Sequence, residues 1–221
     1  MTADPILWLL QANDSQYPSG AYAHSLGLEE LVEAGVVQSA ADLEKFLGTQ
    51  VVPALLAFEI PFFTAAHDAA THDNIEALRQ LDAELDAWRL AAETRHASRT
   101  MGSRRLELLR KLDDAAFVAA YAEPTTPCHH LVVSAIETRG LPLRLAARAF
   151  VFQSLSGFCY ASMKLIRIGQ SVCQQILRTL LSQIGQQIDK ALDQSVQGWF
   201  NPLLEIASLR HARAPARLFI S

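Results

Sequence analysis

The chain has 221 residues, 50% of them hydrophobic and 19% charged, with a formal net charge of −4. A chain of this size is ordinarily one domain and buries about 70% of its unfolded surface, so its core needs no disulfide or metal staple. Ten glycines and nine prolines are few for the length, which excludes collagen-like and linker sequences and favours long elements over a sandwich of short strands. A pI near 6.0 supplies no global basic field for nucleic acid.

The opening MTADPILWLLQANDSQ lacks a basic stretch and a cleavage site, and its apolar run Ile6–Leu10 is too short for a signal sequence. No window approaches about 20 uncharged apolar residues, so no membrane span is expected and the protein reads as soluble and cytoplasmic. Breaks are expected at 13–23, 34–39, 59–61, 121–127, 139–142 and 198–202. In 15–30, Pro18, Gly20 and Gly27 shape a turn around Tyr17, Tyr22 and His24, aromatic anchors suited to a protein interface. Residues 42–57 form a helix after Ser39, with Pro53 as a kink or restart. His67 and His72 are five apart and therefore on different helical faces, which does not suit a metal.

Ile75, Leu78, Leu81, Leu85, Trp88 and Ala92 form one apolar helical stripe, with Asp73 as its start signal. Arg95, Arg99, Arg104, Arg105, Arg110 and Lys111 make a local basic stretch, read as a solvated face. Asp113-Asp114 reads as a helix end followed by a new cap. Cys128-His129-His130 follow Pro127 at a helix start. Thiol and imidazole suit borderline metals, but neighbouring side chains diverge by about 100°, so the three are read as facing solvent. Pro142 opens a run, 143–166, that is apolar on most sides and expected to be the central helix. Within its last turns Lys164 and Arg167 sit among apolar neighbours, and the 172–192 helix follows with Ser171 as its cap. At the end, Arg210, Arg213 and Arg217 precede Leu218-Phe219-Ile220, a basic strip with an apolar tip that reads as a docking tail over 207–221.

No period-2 strand run is present, so the fold is expected to be all-α: one domain of eight to ten helices. Cysteines 128, 159 and 173 give neither a disulfide framework nor a metal clip. No phosphate loop, dinucleotide loop or nucleophile elbow occurs, so no cofactor and no catalytic residue is expected.

Four segments, in order, resemble the urease accessory protein F family. The first holds Leu9-Leu10-Gln11, Pro18-Ser19-Gly20, Tyr22, Ser25-Leu26-Gly27-Leu28-Glu29 and Val32-Glu33-Ala34-Gly35. The second is Arg99-Thr100-Met101-Gly102, and the third is Lys164-Leu165-Ile166-Arg167-Ile168-Gly169-Gln170. The fourth joins Ser208-Leu209-Arg210-His211 to Arg217-Leu218-Phe219. Two departures stand out: Ala21 replaces the family's second turn glycine, and Ala212-Arg213-Ala214-Pro215-Ala216 replaces an acidic-polar run.

The resemblance implies an all-helical, non-enzymatic scaffold that helps deliver nickel to apo-urease. It implies a complex with urease accessory protein D (H in some species), recruitment and modulation of the GTPase accessory protein G, and a homodimer. The expected partner-binding residues are Tyr17, Gly20, Tyr22, His24, Glu29, Lys164, Arg167, Gln170, Arg210, His211, Arg217 and Phe219. The tail would engage one partner, while the 15–30 loop and Lys164 would face the GTPase on a second surface. No nucleic acid and no membrane is expected among the partners. Two rival readings are a metal enzyme using Cys128, His129 and His130, and a nucleic-acid binder using Arg95–Lys111.

Overall fold

The computed structural model describes residues 4–112 and 115–221. Its regular structure is ten α-helices, with no strand among the described residues. They are α1 (Pro5–Ala12), α2 (Leu28–Glu33), α3 (Ala40–Thr71), α4 (Ile75–Trp88) and α5 (Ala92–Leu112). Then follow α6 (Ala115–Tyr121), α7 (His130–Glu137), α8 (Leu143–Leu165), α9 (Gln170–Leu192) and α10 (Pro202–His211), while Ala21–Ala23 form a 3-10 turn. The Asp113-Asp114 boundary lies outside the described residues.

Side chains at the starts fix where the helices begin. Asp4 accepts the N–H groups of Ile6 and Leu7 ahead of Pro5, Ser39 accepts Asp42 N–H, and Asn201 accepts Leu204 N–H ahead of Pro202. Two starts differ from expectation. Asn74, not Asp73, caps α4 by accepting Ala77 N–H, and Asp73 turns left-handed (φ 52°) just before it. Helix α9 begins at Gln170 after extended Gly169, so Ser171 is inside the helix.

The break expected at 59–61 is absent, and Pro53 does not restart the chain: α3 runs through both prolines. A π-helical turn precedes each proline, Leu47–Val51 before Pro53 and Leu55–Glu59 before Pro61. Val52 N–H reaches Leu47 O and Ile60 N–H reaches Leu55 O, five residues back. The wider turn accommodates a residue without an N–H, whose ring would otherwise press on the carbonyl four residues earlier. This helix of 32 residues is also long and apolar enough to cross a membrane by length and composition, contrary to the window reading above; 56% of its most apolar stretch is buried inside the protein.

The deepest element is α7, whose residues Leu131 to Glu137 are all buried. It is clasped by α5 and by the second half of α3, which brings Phe62, Phe63, Ala66 and Ala70 inward. Helix α8 is partly buried: Phe150, Leu155 and Cys159 point inward, while Phe152 and Tyr160 are exposed. α8 and α9 pack as an antiparallel pair, with Arg148 near the start of one bonded to Asp189 near the end of the other at 3.1 Å. Leu78 and Leu85 of the predicted α4 stripe are buried, but the helix ends at Trp88 and Ala92 opens α5.

Candidate functional site

Four parts of the chain far apart in sequence meet: residues 23–29, Glu93, Lys164 and residues 208–221. Gly27 holds a left-handed turn (φ 89°) against α10, with Ser208 Oγ 3.2 Å from where a Cβ would lie, and so starts α2 beside the tail. Glu29, buried in α2, accepts the N–H groups of Leu218 (2.6 Å) and Phe219 (3.0 Å). His211 lies between Glu29 and Glu93, with its Nε2 2.8 Å from Glu29 Oε2 and its Nδ1 2.9 Å from Glu93 Oε1. Arg217 donates to Glu93 at 3.1 Å. Further along, Ile220 N–H donates to Ala23 O at 2.8 Å, Leu26 N–H to Ser221 O at 3.1 Å, and His24 Nδ1 shares a hydrogen bond of 2.7 Å with Ser221 Oγ. Lys164 Nζ lies 5.2 Å above the Phe219 ring.

The electrostatics follow from this packing. Burial alone would raise the Glu29 carboxyl, but the two tail N–H groups and His211 hold it below the usual carboxylate range. Burial alone would depress His211, but its hydrogen bonds to Glu29 and Glu93 hold it above the ordinary histidine value. His24 is pushed down by burial and then by Arg104, so its ring is neutral.

The expected partner residues therefore divide. Tyr22 (74% exposed), Lys164, Arg167, Gln170, Arg210 and Arg217 lie on the surface. Gly20, His24, Glu29, His211 and Phe219 are buried; Gly20 starts the 3-10 turn with left-handed backbone, and the other four hold the tail and its loop together. Arg167 closes the α8–α9 turn with φ 54°, and Gln170 opens α9. Tyr17 serves an interior cluster: its hydroxyl donates to Glu137, which also forms a buried ion pair with Arg105. Arg105 in turn lies 4.8 Å over the Tyr17 ring and donates to Ala12 O at 3.2 Å. Ala21, where the family has glycine, simply begins the 3-10 turn without left-handed backbone. Glu29 binds the tail to the 15–30 segment and Phe219 lies under Lys164, so residues expected on two surfaces lie side by side.

Behind loop 21–26 lies a cavity of ≈ 210 Å³, whose lining includes the apolar Phe58, Phe150, Phe158 and Met101 and the polar groups of His24, His130 and Ser208. His24 Nε2, His130 Nδ1 and Ser208 Oγ have no hydrogen-bond partner.

Cys128, His129 and His130 do not face solvent. Gly102 lets their backbone cross α5 so closely that a Cβ there would stand 1.9 Å from Cys128 O. Buried Asp82 accepts the N–H groups of Cys128 (2.6 Å) and His129 (2.9 Å). Burial and the Asp82 charge push the Cys128 thiol up to about 12, and burial and Arg89 push His129 down to about 4. Neutral His129 is satisfied by Ser98 Oγ (3.0 Å) and Asp86 (2.9 Å). The three side chains do not converge, and no group of three metal-ligating side chains occurs among the described residues. The basic stretch divides: Arg104, Arg110 and Lys111 are exposed, as a solvated face requires, whereas Arg99 binds Asp86 at 2.6 Å and Arg105 is buried. His67 is buried on Thr138 O at 3.0 Å, whereas His72 is exposed beside Asp68, on separate faces as their spacing requires.

Fold and cluster together describe an all-helical domain organised around a docked chain end. Residues 37–181 match the family model UreF. A urease accessory protein UreF of Nitrosococcus oceani is 32% identical over 97% of this chain and 99% of its own length. Those of Nostoc sp. (29%) and Geobacillus kaustophilus (28%) align with 100% of this chain and with 98% and 100% of their own lengths. The chain belongs to the UreF family of urease accessory proteins.

Proposed function

We propose that this chain is a non-catalytic cytoplasmic scaffold for nickel insertion into apo-urease. It docks accessory protein D (or H), recruits the GTPase accessory protein G and modulates it, and acts as a homodimer within that complex. The observation that carries the reading is the convergence of the loop, Lys164 and tail motifs on one face. Its exposed members offer charge and aromatic contact, and its buried members keep the tail in place. Ile206, Leu209, Leu218 and Ile220 on the same terminal segment are 49–63% exposed, an apolar surface of the kind that marks protein interfaces. In this reading G supplies the nucleotide hydrolysis, consistent with the absence of a phosphate-loop sequence here.

The test is co-expression with tagged D, with G and with apo-urease. Leu209→Asp with Leu218→Asp, both exposed positions, is expected to lower recovery of the chain with D by at least about tenfold and to leave urease inactive. Wild-type recovery and wild-type urease activation by that folded variant contradict the proposal.

A further inference from the structure

One ring closes the chain end. His211 faces a carboxylate with each of its nitrogens, Glu29 at 2.8 Å and Glu93 at 2.9 Å. A neutral imidazole has one N–H and one bare lone pair, so it satisfies one of these carboxylates and repels the other. Only the imidazolium donates to both. His129 shows the contrast: one carboxylate and one hydroxyl satisfy a neutral ring. The two carboxylates that need the His211 proton are also the tail's own anchors. Glu29 holds the N–H groups of Leu218 and Phe219, and Glu93 holds Arg217. The tail in turn bonds to loop 21–26, which forms part of the cavity wall.

We propose that His211 is a proton-controlled clasp that holds residues 217–221 on the cavity wall when charged and releases them when it loses its proton. The charged groups facing the ring are Glu29 from α2, Glu93 from α5 and, beyond Glu93, Arg217 of the tail. A lone pair turned toward Glu29 pushes the carboxylate off the ring and with it the two tail N–H groups. The largely exposed segment 212–216 then lets 217–221 lift away. The direction of titration agrees: burial lowers the ring's affinity for a proton, but the two carboxylates outweigh it and raise the value above 6.5. The clasp is therefore closed below that raised value and opens as pH rises through it. The mechanism is independent of which protein binds the surface.

The test is a titration of the isotopically labelled full chain by nuclear magnetic resonance from pH 5.5 to 10. The His211 ring signal is expected to titrate with a midpoint above 6.5, and the amide signals of Leu218, Phe219 and Leu26 are expected to move with that same midpoint while Val132 stays still. A midpoint at or below 6.5, or tail amides that do not follow His211, overturns the proposal. In Glu93→Gln the second carboxylate is gone, so ring and tail midpoints are expected to fall together by at least about one pH unit. An unchanged midpoint also overturns it. Should that variant not fold, the wild-type titration decides alone.

Discussion

Replacing Gly102 with alanine puts a methyl carbon 1.9 Å from Cys128 O and 2.8 Å from both His129 C and His130 N. These are backbone atoms, so no side-chain rotation relieves the clash. An ordinary contact begins near 3.4 Å, so the segment has to move by roughly 1.5 Å. That movement costs about 1–3 kcal/mol as overpacking. It also pulls the N–H groups of Cys128 and His129 off buried Asp82, and leaving that carboxylate unsatisfied adds about 1–3 kcal/mol. The sum is about 2–6 kcal/mol, a large part of a typical domain's stability. At this chain length each kcal/mol lowers Tm by about 2–4 °C, so the expected loss is about 10 °C by thermal circular dichroism. Gly185→Ala is the control. It lies in α9 with nothing within 4 Å of the added carbon, and alanine there is expected to stabilise by about 0.4–1 kcal/mol. A Gly102→Ala protein melting within about 2 °C of its parent refutes the close crossing of α5 and the 128–130 segment.

Arg105→Met leaves Glu137 buried without its cation and should cost about 3–5 kcal/mol in urea unfolding; an unchanged midpoint contradicts the buried pair. Asp82→Asn offers one oxygen where two now accept N–H groups, and is expected to lose about 1–3 kcal/mol by the same measurement. Glu29 contributes stability that is complete above about 4.5 and lost as pH falls through its lowered value. His211 contributes stability that is complete below about 6.5 and lost as pH rises through its raised value. The Tm profile should therefore hold a plateau between those pH values, and Glu29→Gln should flatten the acid flank and His211→Gln the alkaline one. Lys164→Ala removes an exposed contact and should shift stability by less than about 0.5 kcal/mol while weakening recovery with the GTPase accessory protein; a wild-type pull-down removes Lys164 from the docking surface.

Local patterns were legible where local physics decides. The stripes of α4 and α9 and the proline start of α8 follow from periodicity and a fixed φ. The prolines of α3 misled because π-helical turns absorb them, and nothing in the local sequence announces such turns. In loop 15–30 the aromatic and charged residues read as outward anchors. The partner that buries Glu29 lies about 190 residues further on, beyond the reach of any local pattern. The buried 128–130 segment did leave two signs. Gly102 in the middle of a helix costs about 1 kcal/mol and calls for a close approach. Asp82 stands between Leu78 and Leu85 on the apolar stripe of α4, a carboxylate in a place that requires buried donors. Glu93 and Glu137 carried no comparable sign, since their partners come from other helices and from the chain end.

If loop, Lys164 and docked tail form one surface for the partner accessory proteins, a crosslinker placed on that surface captures them. The most direct measurement places a photo-crosslinking amino acid at Tyr22, at Leu218 or, as a control, at exposed Gln187 on α9, in cells that also make the other accessory proteins. Crosslinks to accessory protein D or G are expected from positions 22 and 218 and none from 187. Crosslinks from 187 alone contradict that shared surface.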